Sequence, residues 1–149
     1  MASNDALTGD RRFGQAAAGH VVSNGLQVTR PCVDASITVG AEADDVRAIT
    51  IQLKDANGAD IDYVETVEII MYTSAAMTAF ASTGGSTGIA IGTDGALLAL
   101  VAKKVFLATS ESDGDIDLTW TDSGTETVAV GVRLPNGRVV VSEAFANTN

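Results

Sequence analysis

The chain has 149 residues, 46% of them hydrophobic and 19% charged, which suits one domain with a buried core. Nine Lys and Arg stand against 19 Asp and Glu, a formal net charge of −10 that argues against nucleic acid and against an anionic membrane surface as partners. A single Cys cannot form an internal disulfide, and a single His, His20, removes most His-based catalysis and most zinc sites.

The N-terminal residues Met1-Ala2-Ser3-Asn4-Asp5 lack the basic and apolar regions of a signal peptide. The longest apolar run, 96–102, is far short of the ~20 residues that span a bilayer. Both features predict synthesis and folding in a cytosol, where the lone Cys32 serves as a small buried hydrophobe.

Residues 1–33 are rich in Ala, Gly, Ser and Asn, and carry Arg11, Arg12 and Arg30. No period of 2 or 3.6 runs through them. They read as an extended arm, with one short helical turn over 13–18, and residues 34–149 read as the folded domain. The charge divides in the same place. The first 30 residues hold three basic and two acidic side chains, whereas the rest holds six and 17.

Residues 35–39 are a short β-like run. Over 46–54, Ile49, Ile51 and Leu53 alternate with Thr50, Gln52 and Lys54, the pattern of a half-buried strand. Asp55-Ala56-Asn57-Gly58 then predicts a turn. A second strand is expected over 64–73, its other face partly covered through Ile70 and Tyr72. Residues 74–95 are small and polar, with a loop tip at Gly84-Gly85-Ser86 and a short strand between Gly88 and Gly92. Residues 96–109 are ambiguous. Leu97, Leu100, Val101 and Lys104 suit a helix, and Val105-Phe106-Leu107 suits a strand. A loop or short strand leading into a strand at 104–109 is the preferred reading. Ile116, Leu118 and Trp120 alternate with Asp115, Asp117 and Thr119, giving a strand with an acidic outer face and Trp120 as a core anchor. Pro135-Asn136-Gly137 is the strongest turn signal, so 127–134 and 138–144 are expected to form an antiparallel hairpin. About seven short strands with no long helix predict an all-β fold, a single antiparallel Ig-like β-sandwich without the Ig Cys…Trp…Cys pattern.

No catalytic, metal or cofactor set emerges. Gly84-Gly85-Ser86-Thr87-Gly88 matches G-x-S-x-G in form, but no helix pattern follows it and the one His lies in the arm. Asp113-Gly114-Asp115-Ile116-Asp117 opens like a calcium loop. The Gly and Glu that an EF-hand needs at positions six and twelve are Leu118 and Gly124, so only a looser cation site is left open. Asp44-Asp45 and Asp60/Asp62 read as surface charge.

The segments 35–42 and 46–58, together with Gly92-Thr93-Asp94-Gly95, 112–118 and 132–138, resemble a module of structural proteins from tailed bacteriophages, found in head decoration (cement) and head-fibre proteins. The resemblance covers roughly residues 35–146 and carries over no catalytic residue. It implies a non-enzymatic protein on the capsid exterior, made in the host bacterial cytoplasm, that binds the major capsid protein lattice through its N-terminal arm and sandwich edge, stabilises the shell and assembles as a homo-oligomer. Arg11, Arg12, Phe13 and Arg30 of the arm are the expected capsid contacts. The alternative is a head-fibre or tail-associated adhesin that binds host glycans through loops of 74–95, where Phe80 is the one aromatic available for stacking.

Overall fold

In the computed structural model, the residues described are 21–23, 26–28 and 30–148. The chain divides into two units, Met1–Pro31 and Cys32–Asn149. In the first, β1 (Val21–Ser23) and β2 (Leu26–Val28) pair antiparallel. The sequence between them is Asn24-Gly25, the dipeptide favoured in two-residue hairpin connections. A short ladder therefore lies within the stretch read from sequence as an extended arm. Three-residue strands are too short to show a period, which is why they escape pattern reading. The helical turn expected over 13–18 lies outside the described residues.

The second unit is an all-antiparallel β-sandwich. One sheet orders β3 (Asp34–Ala43), β4 (Val46–Lys54), β9 (Asp115–Thr121) and β6 (Gly88–Ile91). The other orders β11 (Val139–Val141), β10 (Ala129–Arg133), β5 (Thr66–Tyr72), β8 (Val105–Thr109) and β7 (Ala96–Val101). Without β7 and β8, the remaining seven strands follow the A-B-E-D and G-F-C orders of an Ig constant-type sandwich. The β7–β8 hairpin is inserted between the D and E strands and pairs onto the free edge of C, here β5. The sandwich therefore has nine strands, and the two beyond the expected seven are β7 and β8, the strands of this hairpin.

The alternating runs supply the core. Ile49, Ile51 and Leu53 of β4 and Ile116, Leu118 and Trp120 of β9 are all buried. They belong to one core cluster with Val67, Ile69 and Met71 of β5, Phe106 of β8, and Val130 and Val132 of β10. Burying each large apolar side chain contributes roughly 1.5–3 kcal/mol against conformational entropy. Trp120 sits at the centre of this packing. Its ring meets Phe145 edge-on at 5.2 Å, and its Nε1–H donates to the Gly84 carbonyl at 3.0 Å. The hairpin β10–β11 closes on Pro135-Asn136-Gly137 as the turn signal predicts, with Gly137 at φ 87°.

The last described residues stitch the first sheet. Asn147 is buried and donates through Nδ2 to the carbonyls of Asp45 and Asp122. The Arg47 guanidinium donates to Asn147 Oδ1, Gly40 O and Ala146 O. Five donors in a planar fork can tie together main-chain groups that are a hundred positions apart in sequence. Cys32 is buried, and burial foremost pushes its thiol up to about 11, so it acts as a hydrophobe rather than a nucleophile.

Candidate interaction surface

Three features compete as the functional site: the glycine-rich loop, an acidic trio, and the outer edge of the inserted hairpin.

The loop over 82–88 is locked rather than poised. The Glu126 carboxylate accepts main-chain N–H groups from Thr83 at 3.0 Å, Gly84 at 2.9 Å and Gly85 at 3.1 Å, and also bonds the Thr83 hydroxyl. Burial acts to raise the Glu126 pKa, but hydrogen bonds from Thr83, Gly85 and Ser82 outweigh it and hold the carboxyl below its ordinary value. Gly84 and Gly85 both take positive φ, at 77° and 97°. A Cβ on Gly84 would lie 2.1 Å from the Lys103 carbonyl oxygen, so the position requires glycine on steric grounds as well. Ser86 is held on both sides. Its N–H donates to Asp122 Oδ1 at 2.9 Å, and its hydroxyl accepts the N–H of Ser123 at 2.9 Å. The Lys103 ammonium donates to the carbonyls of Gly85 and Ser86. Among the described residues no helix follows Ser86, and Asp122 and Lys103 meet its main chain while its hydroxyl meets the Ser123 N–H, so the G-x-S-x-G match is a turn held by carboxylates. Sequence reading missed Glu126, because nothing local marks a side chain that reaches 41–43 positions back along the chain.

The acidic trio is Asp94, Asp115 and Asp117, each offering a carboxylate oxygen within 4.8 Å of the others. Asp117 also accepts the Thr50 hydroxyl at 2.9 Å. Asp115 Oδ1 is buried without a hydrogen-bond partner. Desolvation, then repulsion from Asp117, Asp113 and Asp94, raises the Asp115 carboxyl above its ordinary value. The sequence placed Asp115 and Asp117 on one strand face but read Asp94 only as a turn residue. The turn before β7 carries it there, its carbonyl accepting the Asp117 N–H at 2.9 Å. Three carboxylates on a half-exposed face can hold a hard divalent cation only with further ligands from water. Asp113-Gly114 forms the turn into β9, with the Gly114 N–H donating to Glu111 O at 3.1 Å.

The third feature is apolar. Strand β7 ends the five-stranded sheet and, among the described residues, pairs on one side only. Leu98 is 62% exposed, Leu100 52% and Val101 51%, with Leu107 of β8 exposed beside Leu98 on the outer face. Register shifts between Ala99 and Val101, and that bulge interrupts the alternation so that Leu100 and Val101 are both exposed. The same bulge explains why 96–101 reads ambiguously from sequence. An edge strand in which Leu97 alone packs against the core carries no inward-facing stripe to betray its period. Nearby on this sheet, Phe80 is 57% exposed and stacks on Tyr72 at a centroid distance of 6.5 Å.

The other three sheet edges are protected. Strands β6 and β11 are short, with four and three residues, and β3 carries Asp34, Glu42 and its own bulge. Those are the usual means by which edges avoid unwanted pairing. Strand β7 has six residues, Ala-Leu-Leu-Ala-Leu-Val, and no charge.

Of the expected arm contacts, Arg11, Arg12 and Phe13 lie outside the described residues, and Arg30 is half-buried in the first unit. Among the described residues, no helix is long and apolar enough to cross a membrane. In comparisons with known proteins, no family model, no curated protein and no solved structure matches the chain.

Proposed function

We propose that this chain is a non-enzymatic structural protein that decorates the capsid exterior of a tailed bacteriophage, its arm docking on the major capsid protein and its sandwich edge meeting neighbouring protein. The observation that supports an assembly role is the uncharged, exposed edge strand β7 on a chain of net charge −10. Contiguous exposed apolar surface marks a protein interface more than a nucleic-acid one. The rigid, alternating core suits a module that must hold its shape on a pressurised shell. Many copies bound together would convert weak contacts into high occupancy. The capsid itself is named by the sequence resemblance of residues 35–146.

The experiment is recovery of the protein with intact virions at a fixed copy number relative to the major capsid protein. Deleting residues 1–30 is expected to leave a folded sandwich that no longer binds shells. Full occupancy by the truncated protein would remove the arm from the proposal, and absence of the full chain from purified virions would remove the capsid.

The second reading, a glycan-binding module, is favoured by one observation: the exposed Phe80 ring braced by Tyr72 is a flat platform of the kind on which a sugar stacks. It predicts glycan-array hits that Phe80→Ala abolishes. An array without hits disposes of it.

A further inference from the structure

We infer that the edge strand β7 pairs antiparallel with β7 of a second copy of this chain, joining two five-stranded sheets into one. The inference deepens the assembly role by naming the partner of that edge, and it leaves the arm for the shell.

The first argument is from hydrogen bonding. An edge strand directs alternate N–H and C=O groups away from its one neighbour, and a second strand satisfies those of its regular stretch. The second is from apolar area. Leu98, Leu100 and Val101 are each more than half exposed, and edge pairing draws the matching side chains of the second copy beside them.

Charge decides the partner. The two ends of β7 differ in sign. At its N-terminal end the turn before β7 carries Asp94, whose carboxylate oxygen lies within 4.8 Å of those of Asp115 and Asp117 on β9 of the other sheet. At its C-terminal end the turn into β8 carries Lys103 and Lys104. Lys103 is engaged with the carbonyls of Gly85 and Ser86, and Lys104 forms no ion pair among the described residues. Antiparallel pairing about a two-fold axis brings the N-terminal end of one strand to the C-terminal end of the other. The Asp94 of each copy then lies toward the Lys104 of the other, twice per dimer. A parallel arrangement would set acid against acid and base against base. The strand between the ends is uncharged, so no charge opposes the pairing along it, and the bulge between Ala99 and Val101 leaves 96–99 as its regular stretch. An isologous contact of this kind closes on itself and does not propagate into a fibre.

The test is sedimentation velocity on the full chain over a wide concentration range, with circular dichroism to confirm folding. The chain is expected to shift from monomer to dimer as concentration rises, and the amides of 96–101 to gain hydrogen-exchange protection with it. Leu98→Glu and, as a second variant, Leu100→Glu alter exposed side chains and should weaken dimerisation about tenfold or more. Lys104→Glu should weaken it several-fold. Adding Asp94→Lys to Lys104→Glu reverses both ends together and should restore association beyond the single variant. A folded chain that stays monomeric throughout overturns the inference. So does a dimer indifferent to Leu98→Glu and Leu100→Glu, or a double variant no tighter than Lys104→Glu alone. Virion recovery of folded Leu98→Glu separates the two proposals. A dimer that never appears on virions defeats the capsid reading alone, and full occupancy by a wild-type chain that is monomeric in solution defeats the pairing alone.

Discussion

Two half-buried carboxylates, Glu126 and Asp115, sit in the same acidic sandwich and are treated in opposite ways. Glu126 closes a glycine-rich loop, and three main-chain N–H groups and a hydroxyl point at it. Asp115 stands beside Asp94 and Asp117, with one oxygen buried and unsatisfied. The contrast teaches that net charge says little about where negative charge stabilises the fold. What matters is whether donors converge on the carboxylate, and that is set by backbone conformation rather than by composition.

The comparison can be broken most severely at its backbone. Gly84→Ala forces a Cβ to 2.1 Å from the Lys103 carbonyl oxygen and a side chain onto positive φ. It should cost about 3 kcal/mol or more by distorting the donors that hold Glu126, as measured by urea unfolding. A smaller loss of about 2 kcal/mol is expected from Glu126→Ala, because the N–H groups of Thr83, Gly84 and Gly85 lose their acceptor. An unchanged denaturation midpoint would show that water replaces the carboxylate without cost.

On the other side, Asp115→Asn should stabilise the protein at neutral pH by about 1 kcal/mol, since its amide can donate to Asp94 or Asp117. The pH dependence of the two substitutions should run in opposite directions. The Glu126 carboxyl is held below its ordinary 4.5, so its stabilisation is present above that pH and is lost as pH falls through the lowered value. The Asp115 carboxyl is raised above 3.8, so the folded state keeps its proton longer and stability declines as pH rises through the raised value. The advantage of Asp115→Asn should therefore fade as pH falls through the raised value and be gone below 3.8, where Asp115 is protonated in the folded and unfolded wild-type chain alike. The penalty of Glu126→Ala should also shrink in acid, as the wild-type protein loses what Glu126 contributes. Thermal unfolding of the three proteins across the acid range checks both signs.

Strands with one dry and one wet face were legible in the sequence, because burial imposes a period of two. Val46–Lys54 is read with the bounds it has, and Ile116, Leu118 and Trp120 place β9 in register with it. The hairpin on Pro135-Asn136-Gly137 is legible for a different reason, since its turn chemistry is local. Strand β7 was not legible. Its side chains are apolar although most of them face solvent, so hydrophobicity there does not report a core. The grip of Glu126 on Thr83–Gly85 and the approach of Asp94 to Asp115 were equally hidden. Both are products of strand order, which no local pattern encodes.

Trp120 gives this molecule a built-in optical reporter. It is the one tryptophan in the chain, fully buried, hydrogen-bonded to the glycine loop and set edge-on against Phe145. Its emission should be blue-shifted when the sandwich is closed and move red when either the loop or the C-terminal segment releases the ring. Comparing that signal with circular dichroism during unfolding asks whether these regions come apart with the sheets or before them. Agreement of the two curves marks a single cooperative unit, and an early red shift marks a sandwich that opens first at its loop.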